Sequence, residues 1–201
     1  RAFITSLDAP SWPFEINTDL AEQGQQLFEQ TCSRCHGSYG EQASYPARLV
    51  PLEQIGTDPA LVEFVHGEGA AYVDWFNRSY YGLLATAAPG YGYVAPPLDG
   101  IWATAPFLHN GSVPSLRTLL DSGTRPAVWQ HDVSDASDPD SYDELNMGWS
   151  FTIPPGDKAT AANPERVYDT SLPGYTNTGH VFGDHFDDSE RLAVLEYLKT
   201  L

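Results

Sequence analysis

The run TCSRCHGSYG, residues 31–40, holds both cysteines of the 201-residue chain, Cys32 and Cys35, with His36 directly after them. Two thiols at this spacing leave few options. A zinc site needs two further ligands, commonly a second Cys or His pair close by, and none follows. A redox-active dithiol belongs in a βαβ setting that the flanks do not supply. Covalent attachment of a c-type haem needs what is present. Each thiol adds to one vinyl group, the two-residue gap puts both sulfurs on one edge of the macrocycle, and the adjacent histidine lies under the iron. The expectation is one covalent haem c on Cys32 and Cys35, with His36 as proximal ligand. Such a chain folds about a cofactor that replaces much of an ordinary side-chain core.

The motif follows a helix. TDLAEQGQQLFEQT, residues 18–31, places Leu20, Gly24, Leu27, Phe28 and Thr31 on one face, with Asn17 or Thr18 as cap and Asp19 and Glu22 at the positive end. The C-terminal DDSERLAVLEYLKTL reads as a second helix, capped by Asp188 or Ser189, with Val194, Leu195, Tyr197, Leu198 and Leu201 apolar. Gly24 would let the two backbones approach closely, with Phe28 and Tyr197 around the crossing. Two short helices are expected between them. One lies in TDPALVEFVHGEG, behind Thr57 or Asp58 with Pro59 in its first turn. The other lies in GSVPSLRTLLDSG, with Ser112 or Val113 before Pro114 and Gly123 just past the end. Residues 1–17 read as an extended lead and 124–186 as a long loop region, broken by Pro, Gly, Asp and Asn. The fold class expected is a single domain, residues 1–201, mostly α and loop-rich, wrapped round one haem with long irregular insertions.

Charge narrows the partners. Twenty-seven acidic residues against ten basic ones give a formal net charge of −17. That argues against nucleic acid and anionic membrane surfaces. No apolar run is long enough for a membrane span. The opening RAFITSLDAPSWPFE lacks the layout of a signal peptide. Haem attachment to this motif takes place outside the cytoplasm, so the expected location is periplasmic or extracellular, in a mature protein or a domain of a longer modular one. The acidic stretch HDVSDASDPDSYDE, residues 131–144, has alternating Asp that can bind calcium but lacks the glycine and final Glu of an EF-hand loop, so it reads as solvated.

The second axial ligand decides the chemistry, because a filled site transfers electrons and an open one can bind oxygen or peroxide. His180, in NTGHVFG, is flanked by Gly179 and Gly183, which would let backbone approach the haem edge. Met147, the only methionine, is the main rival and would raise the haem potential. His109, in APFLHNGS, comes next, with a turn or a propionate as its other possible partner. His66 reads as a helix-terminus cation, and His131 and His185 as solvated. Arg34, Arg48 and Arg117 are candidates to hold the propionates, and Tyr45, Trp102 and Phe107 to line the pocket, each against a plain surface or core role.

The spacing of Gly24, Phe28 and Cys32, with Tyr197 on the terminal helix, resembles the class I cytochrome c fold. YPARLVPLEQIGTDP (45–59), YVAPPLDGIWATAPFLHNGSVPSLRTLL (93–120) and YDTSLPGYTNTGHVFG (168–183) resemble the C-terminal haem domain of the dihaem cytochrome c peroxidase and MauG-like superfamily, nearest its rubber-oxygenase-like branch. The similarity runs from about residue 20 to the end. It implies that His180 is the distal ligand of an electron-relay haem. Those relatives usually carry a second haem domain for oxygen or peroxide chemistry, and only the relay half is present here. The expected function is therefore an electron-transfer domain rather than an enzyme, passing single electrons to a redox partner such as a copper oxidase or another cytochrome. The alternative is a haem peroxidase or oxygenase with an open distal site.

Overall fold

The computed structural model describes residues 6–131, 139–156, 158, 161 and 163–201. Helix α1 spans Thr18–Thr31, the range read from the sequence, and the Asn17 side chain caps it by accepting from the Leu20 N–H at 3.1 Å. Cys32 continues in helical geometry into the single turn α2, Ser33–His36, so Cys32, Cys35 and His36 fall at i, i+3 and i+4 on one side. Gly37 ends the turn at φ +86°, where a Cβ would meet the Ser44 carbonyl oxygen at 2.1 Å.

Helix α7, Asp188–Leu198, lies across α1. Its cap is Asp187, one residue ahead of the expected Asp188 or Ser189. The Asp187 carboxylate accepts from the Ser189 and Glu190 N–H groups while Glu190 reaches back to the Asp187 N–H, a complete capping box. At the crossing, a Cβ on Gly24 would stand 1.8 Å from the Ala193 carbonyl oxygen. Phe28 and Tyr197 pack beside it with ring centres 5.2 Å apart, and the Asn17 N–H donates to Glu196 Oε2. Val194, Leu195, Tyr197 and Leu198 are buried, as is Arg191, whose Nε donates to the Leu120 carbonyl.

Short elements fill the interval. Strand β1 (Leu49–Pro51) leads into α3 (Leu52–Ile55), then α4 (Ala60–His66) and α5 (Ala70–Arg78). Strand β2 (Gly92–Val94) returns antiparallel to β1. Before α4 the Asp58 carboxylate accepts from the Ala60 N–H, and Pro59 holds the cap position. The next helix, α6 (Leu116–Leu119), is capped by Ser115 rather than Ser112 or Val113, because Pro114 lies outside the helix. Helices α3 and α5 were not expected. Helix α3 is a single turn, too short to show a period, and α5, although amphipathic, buries none of its residues.

The region 124–186 is not all loop. Strand β3 (Val128–His131) is the centre of a three-stranded antiparallel sheet with β6 (Phe151–Thr152) and β7 (Val167–Asp169), while β4 (Tyr142–Asp143) pairs with β5 (Gly148–Trp149). Strands of two to four residues are too short to show alternation. His131 is not solvated either, since its ring stacks on Trp149 at 4.3 Å. Of the acidic stretch, residues 132–138 lie outside the described residues, as do 1–5 of the lead. Asp143 spends both carboxylate oxygens on the N–H groups of Leu145 and Asn146 and the Asn146 amide. The lead is extended but anchored: Trp12 is buried against Trp102 and Tyr142. Among the described residues no helix is long and apolar enough to cross a membrane.

Replacing Gly24 with alanine tests the crossing. Helix propensity alone favours alanine by about 1 kcal/mol. The Ala193 carbonyl makes that impossible without separating α1 from α7, and overpacking of this kind costs about 1–3 kcal/mol. Gly24→Ala is expected to lower the denaturation midpoint. An unchanged or raised midpoint would mean that the crossing tolerates a wider gap.

Candidate functional site

Two apolar clusters leave a cavity of about 370 Å³ between them. One wall comes from Phe28 of α1, Leu116, Leu119 and Leu120 of the α6 segment, and Val194 and Leu198 of α7. The other comes from Cys35, Val50, Ile55 and Ala95 around β1 and β2. Cys32, Cys35 and His36 line it at the end of α1, and His180 lines it from the loop ahead of α7. The centres of the two imidazole rings stand 6.2 Å apart, with planes inclined at 63°.

The two histidines are held differently. His36 Nδ1 lies 2.8 Å from the Pro96 carbonyl. A carbonyl only accepts, so Nδ1 carries the proton and Nε2 is left bare. Burial lowers the His36 pKa, with that hydrogen bond opposing. His180 has a left-handed backbone, φ +47°, its N–H donates to the Ile55 carbonyl at 2.7 Å, and its Nδ1 is buried with no hydrogen-bond partner. Burial first, then His36, then Arg125 push its pKa down to about 4. Both rings are therefore neutral near pH 7, the form that ligates a metal. Left-handed backbone in a non-glycine residue is costly and persists where surrounding contacts over-determine it.

These residues fit a haem. Two imidazoles sharing one metal atom from opposite sides have centres about 6 Å apart, from two bonds of about 2 Å and two nitrogen-to-centre distances of about 1 Å. The apolar walls suit a flat macrocycle. Neither cysteine is in a disulfide, and burial first, then Cys35, push the Cys32 thiol up to about 12 with Arg34 opposing, so it is no thiolate. Among the described residues no group of three or more His, Cys, Asp or Glu is arranged to hold a metal ion by itself.

The structure divides the remaining candidates. Phe107, Arg34 and His109 line the cavity. Arg34 is exposed at its edge over the Phe182 ring, and His109 stacks on Tyr93 with centres 4.0 Å apart. The others stand outside the lining. Met147 is wholly buried in the core cluster, where its carbonyl accepts from the Leu116 N–H. Tyr45 is half exposed and donates its hydroxyl to the Ala95 carbonyl. Trp102 packs on Trp12 and donates to the Pro10 carbonyl. Arg48 is exposed and donates to the Arg34 carbonyl, and Arg117 pairs with Asp188 at 3.7 Å. His66 Nδ1 donates to the Val62 carbonyl of its own helix at 2.9 Å, so the ring closes the last turn of α4. His185 is exposed.

The glycines beside His180 make close backbone approaches to neighbouring segments. Gly179, at φ +75°, presses on the Gly56–Thr57 peptide, where a Cβ would lie 2.2 Å from the Gly56 carbonyl carbon. Gly183 presses on the Leu120 carbonyl. They fit the loop between two neighbouring segments. Sequence reasoning read Thr57 and Asp58 only as caps of α4; Thr57 also lines the cavity with a buried, unpartnered hydroxyl, and Asp58 lies beside it. Asp58 ties α4 to the histidine loop, accepting from the Ala60 N–H, the Thr176 N–H and the Thr176 hydroxyl.

Residues 92–130, which contribute to both walls of the cavity, match the family model described as RoxA-like, cytochrome c-like. This segment of the chain is thus cytochrome c-like and points to a haem-binding protein. Over nearly the whole chain, two uncharacterised Sinorhizobium fredii proteins are similar. One, y4iJ, is 31% identical across 98% of this chain and 42% of its own length, and the other, y4iM, is 28% identical across 89% and 44%. The chain spans less than half the length of these curated relatives.

Asp58 provides a pH test. Burial raises its pKa, but the hydrogen bonds from Ala60 and Thr176 and the field of His109 outweigh burial and hold it below the usual carboxylate range. A depressed folded-state pKa gives stability that is present above the unfolded value, about 3.9, and lost as pH falls through the folded value. Asp58→Asn should cost about 1.5–3 kcal/mol near neutrality. The gap to the parent protein should close as pH drops below 4, as followed by denaturation at a series of pH values.

Proposed function

We propose that this chain is a one-haem, c-type electron-transfer domain that works outside the cytoplasm. Cys32 and Cys35 would hold the haem, and His36 and His180 would ligate its iron. The observation that carries this reading is the 6.2 Å opposition of two neutral imidazoles across an apolar cavity, with both thiols lining it. When bound, the haem supplies one-electron chemistry. The chain's own residues do the rest. His36 is oriented by the Pro96 carbonyl, His180 faces it across the cavity and would leave oxygen no free iron site, and the leucine, valine and phenylalanine walls keep water away. Export and covalent attachment follow from the CxxCH motif. The net charge of −17 suits fast, weak docking to a redox protein with a basic patch, such as a copper oxidase or another cytochrome. Whether the relatives' longer chains add catalytic domains bears on the full protein, and this domain is read as the relay.

The ligand assignment has a direct test. The pigment should survive acid–acetone extraction and add about one haem mass per chain. The parent spectrum should be low-spin. His180→Ala should become high-spin and bind carbon monoxide in the ferrous form. Met147→Leu should leave the spectrum unchanged and cost less than about 1.5 kcal/mol, because it replaces a core side chain by one of similar volume. A low-spin His180→Ala beside a high-spin Met147→Leu would transfer the ligand role to methionine.

The relay role is checked separately. Mixing the reduced domain with peroxide should give slow oxidation and no turnover of an added electron donor. Electron exchange with a basic partner should slow as salt rises, since screening shortens to about 10 Å at 0.1 M. Rapid peroxide turnover would instead identify an enzyme.

A further inference from the structure

Arg125 uses all five of its N–H donors on backbone carbonyls. Nε donates to Thr118 and one Nη2 hydrogen to Leu119, both at the end of α6, at 3.2 and 3.0 Å. Nη1 donates to Asn177 and Gly179, each at 2.7 Å, and Nη2 also to His180 at 3.1 Å. The α6 carbonyls are among those a helix leaves unsatisfied at its C-terminus, and the loop carbonyls have no ladder of their own. One planar fork therefore joins a cavity wall to the segment that carries His180. Among the described residues no carboxylate forms an ion pair with it, although Asp121 and Asp184 lie near enough to offset its charge in part. A half-buried guanidinium without an ion partner is expensive unless every donor is met, and here every donor is met.

Resting on the His36–His180 reading, we propose that Arg125 is the positioning residue of the distal ligand. Its fork fixes the left-handed turn at His180, and its charge, one peptide away from that ligand, favours the reduced iron and raises the haem potential. The geometry is specific to arginine. Lysine keeps the charge but has three donors on a single atom and cannot span carbonyls from two segments. Glutamine keeps neither. The two effects are thus separable: the fork holds the ligand, and the charge sets the potential.

The experiment compares the haem-loaded parent with Arg125→Lys, Arg125→Gln and His180→Ala. Carbon monoxide association with the ferrous protein should accelerate by about 10–100-fold in Arg125→Gln and Arg125→Lys, the range typical when the support of a metal ligand is removed. The reduction potential should fall in Arg125→Gln and stay nearer the parent in Arg125→Lys. Amide hydrogen exchange should speed up at 177–180 while the α1–α7 crossing keeps its protection. Parent-like carbon monoxide binding and potential in Arg125→Gln would overturn the proposal. So would loosening that spreads evenly over the chain, or failure of both Arg125 variants to retain haem, since either makes the clamp a general folding element. A His180→Ala spectrum identical to the parent would reject the ligation reading itself, a result distinct from a low-spin parent with indifferent Arg125 variants.

Discussion

The contact of Gly24 with the Ala193 carbonyl sets the distance on which the rest of the site depends. It brings the α1 and α7 backbones together so closely that no side chain intervenes. The end of α1 then has only one place to go, and with it go Cys32, Cys35 and His36. The start of α7 is fixed by the same contact, and the loop bearing His180 must finish at its Asp187 cap. Val194 and Leu198, which line the cavity, lie on the α7 face turned toward that loop and α1. A helix crossing of this sort works as a jig, translating one missing methyl into the spacing of two side chains 144 positions apart in sequence, whose ring centres end 6.2 Å apart.

The two facing histidines are not equivalent. His36 belongs to a helical turn and has its tautomer fixed by a hydrogen bond to Pro96. His180 belongs to no regular element. It is pinned through its backbone, by Ile55 on the N–H and Arg125 on the carbonyl, while its buried Nδ1 has no partner. One histidine is oriented at the ring and the other at the main chain. Asp58 adds a third anchor through Thr176, four residues upstream.

What the sequence makes legible is local. CSRCH, the α1 range and the small residue at position 24 are each set by neighbours three or four positions away, and each is found where the periodicity puts it. His180 is also legible, through its glycine flanks, and those glycines fit against Gly56, Thr57 and Leu120, contacts that the sequence does not show. The reach of Arg125 and of Asp58 into the histidine loop carries no local signature, because the partners there are 54 and 118 residues away. Such contacts exist only once the chain is folded. Met147, Tyr45, Trp102, Arg48 and Arg117 attracted attention by being rare or by neighbouring apparent motifs. All five stand outside the cavity lining, since residue type alone does not say which side of a wall a side chain occupies.

The crossing also has a consequence in time. The Asn17 N–H and the Glu196 carboxylate that meet across it are 179 residues apart. Closing a flexible loop of that size costs on the order of 4–5 kcal/mol in chain entropy before any contact compensates. Helix α1 is short enough to be marginal alone. Its partner α7 begins only at Asp188, so it emerges in synthesis long after α1 ends at Thr31. The segment with both thiols therefore stays accessible until α7 has been made, and it closes only when α7 arrives. Any agent that must reach Cys32 and Cys35 before folding has that interval in which to act.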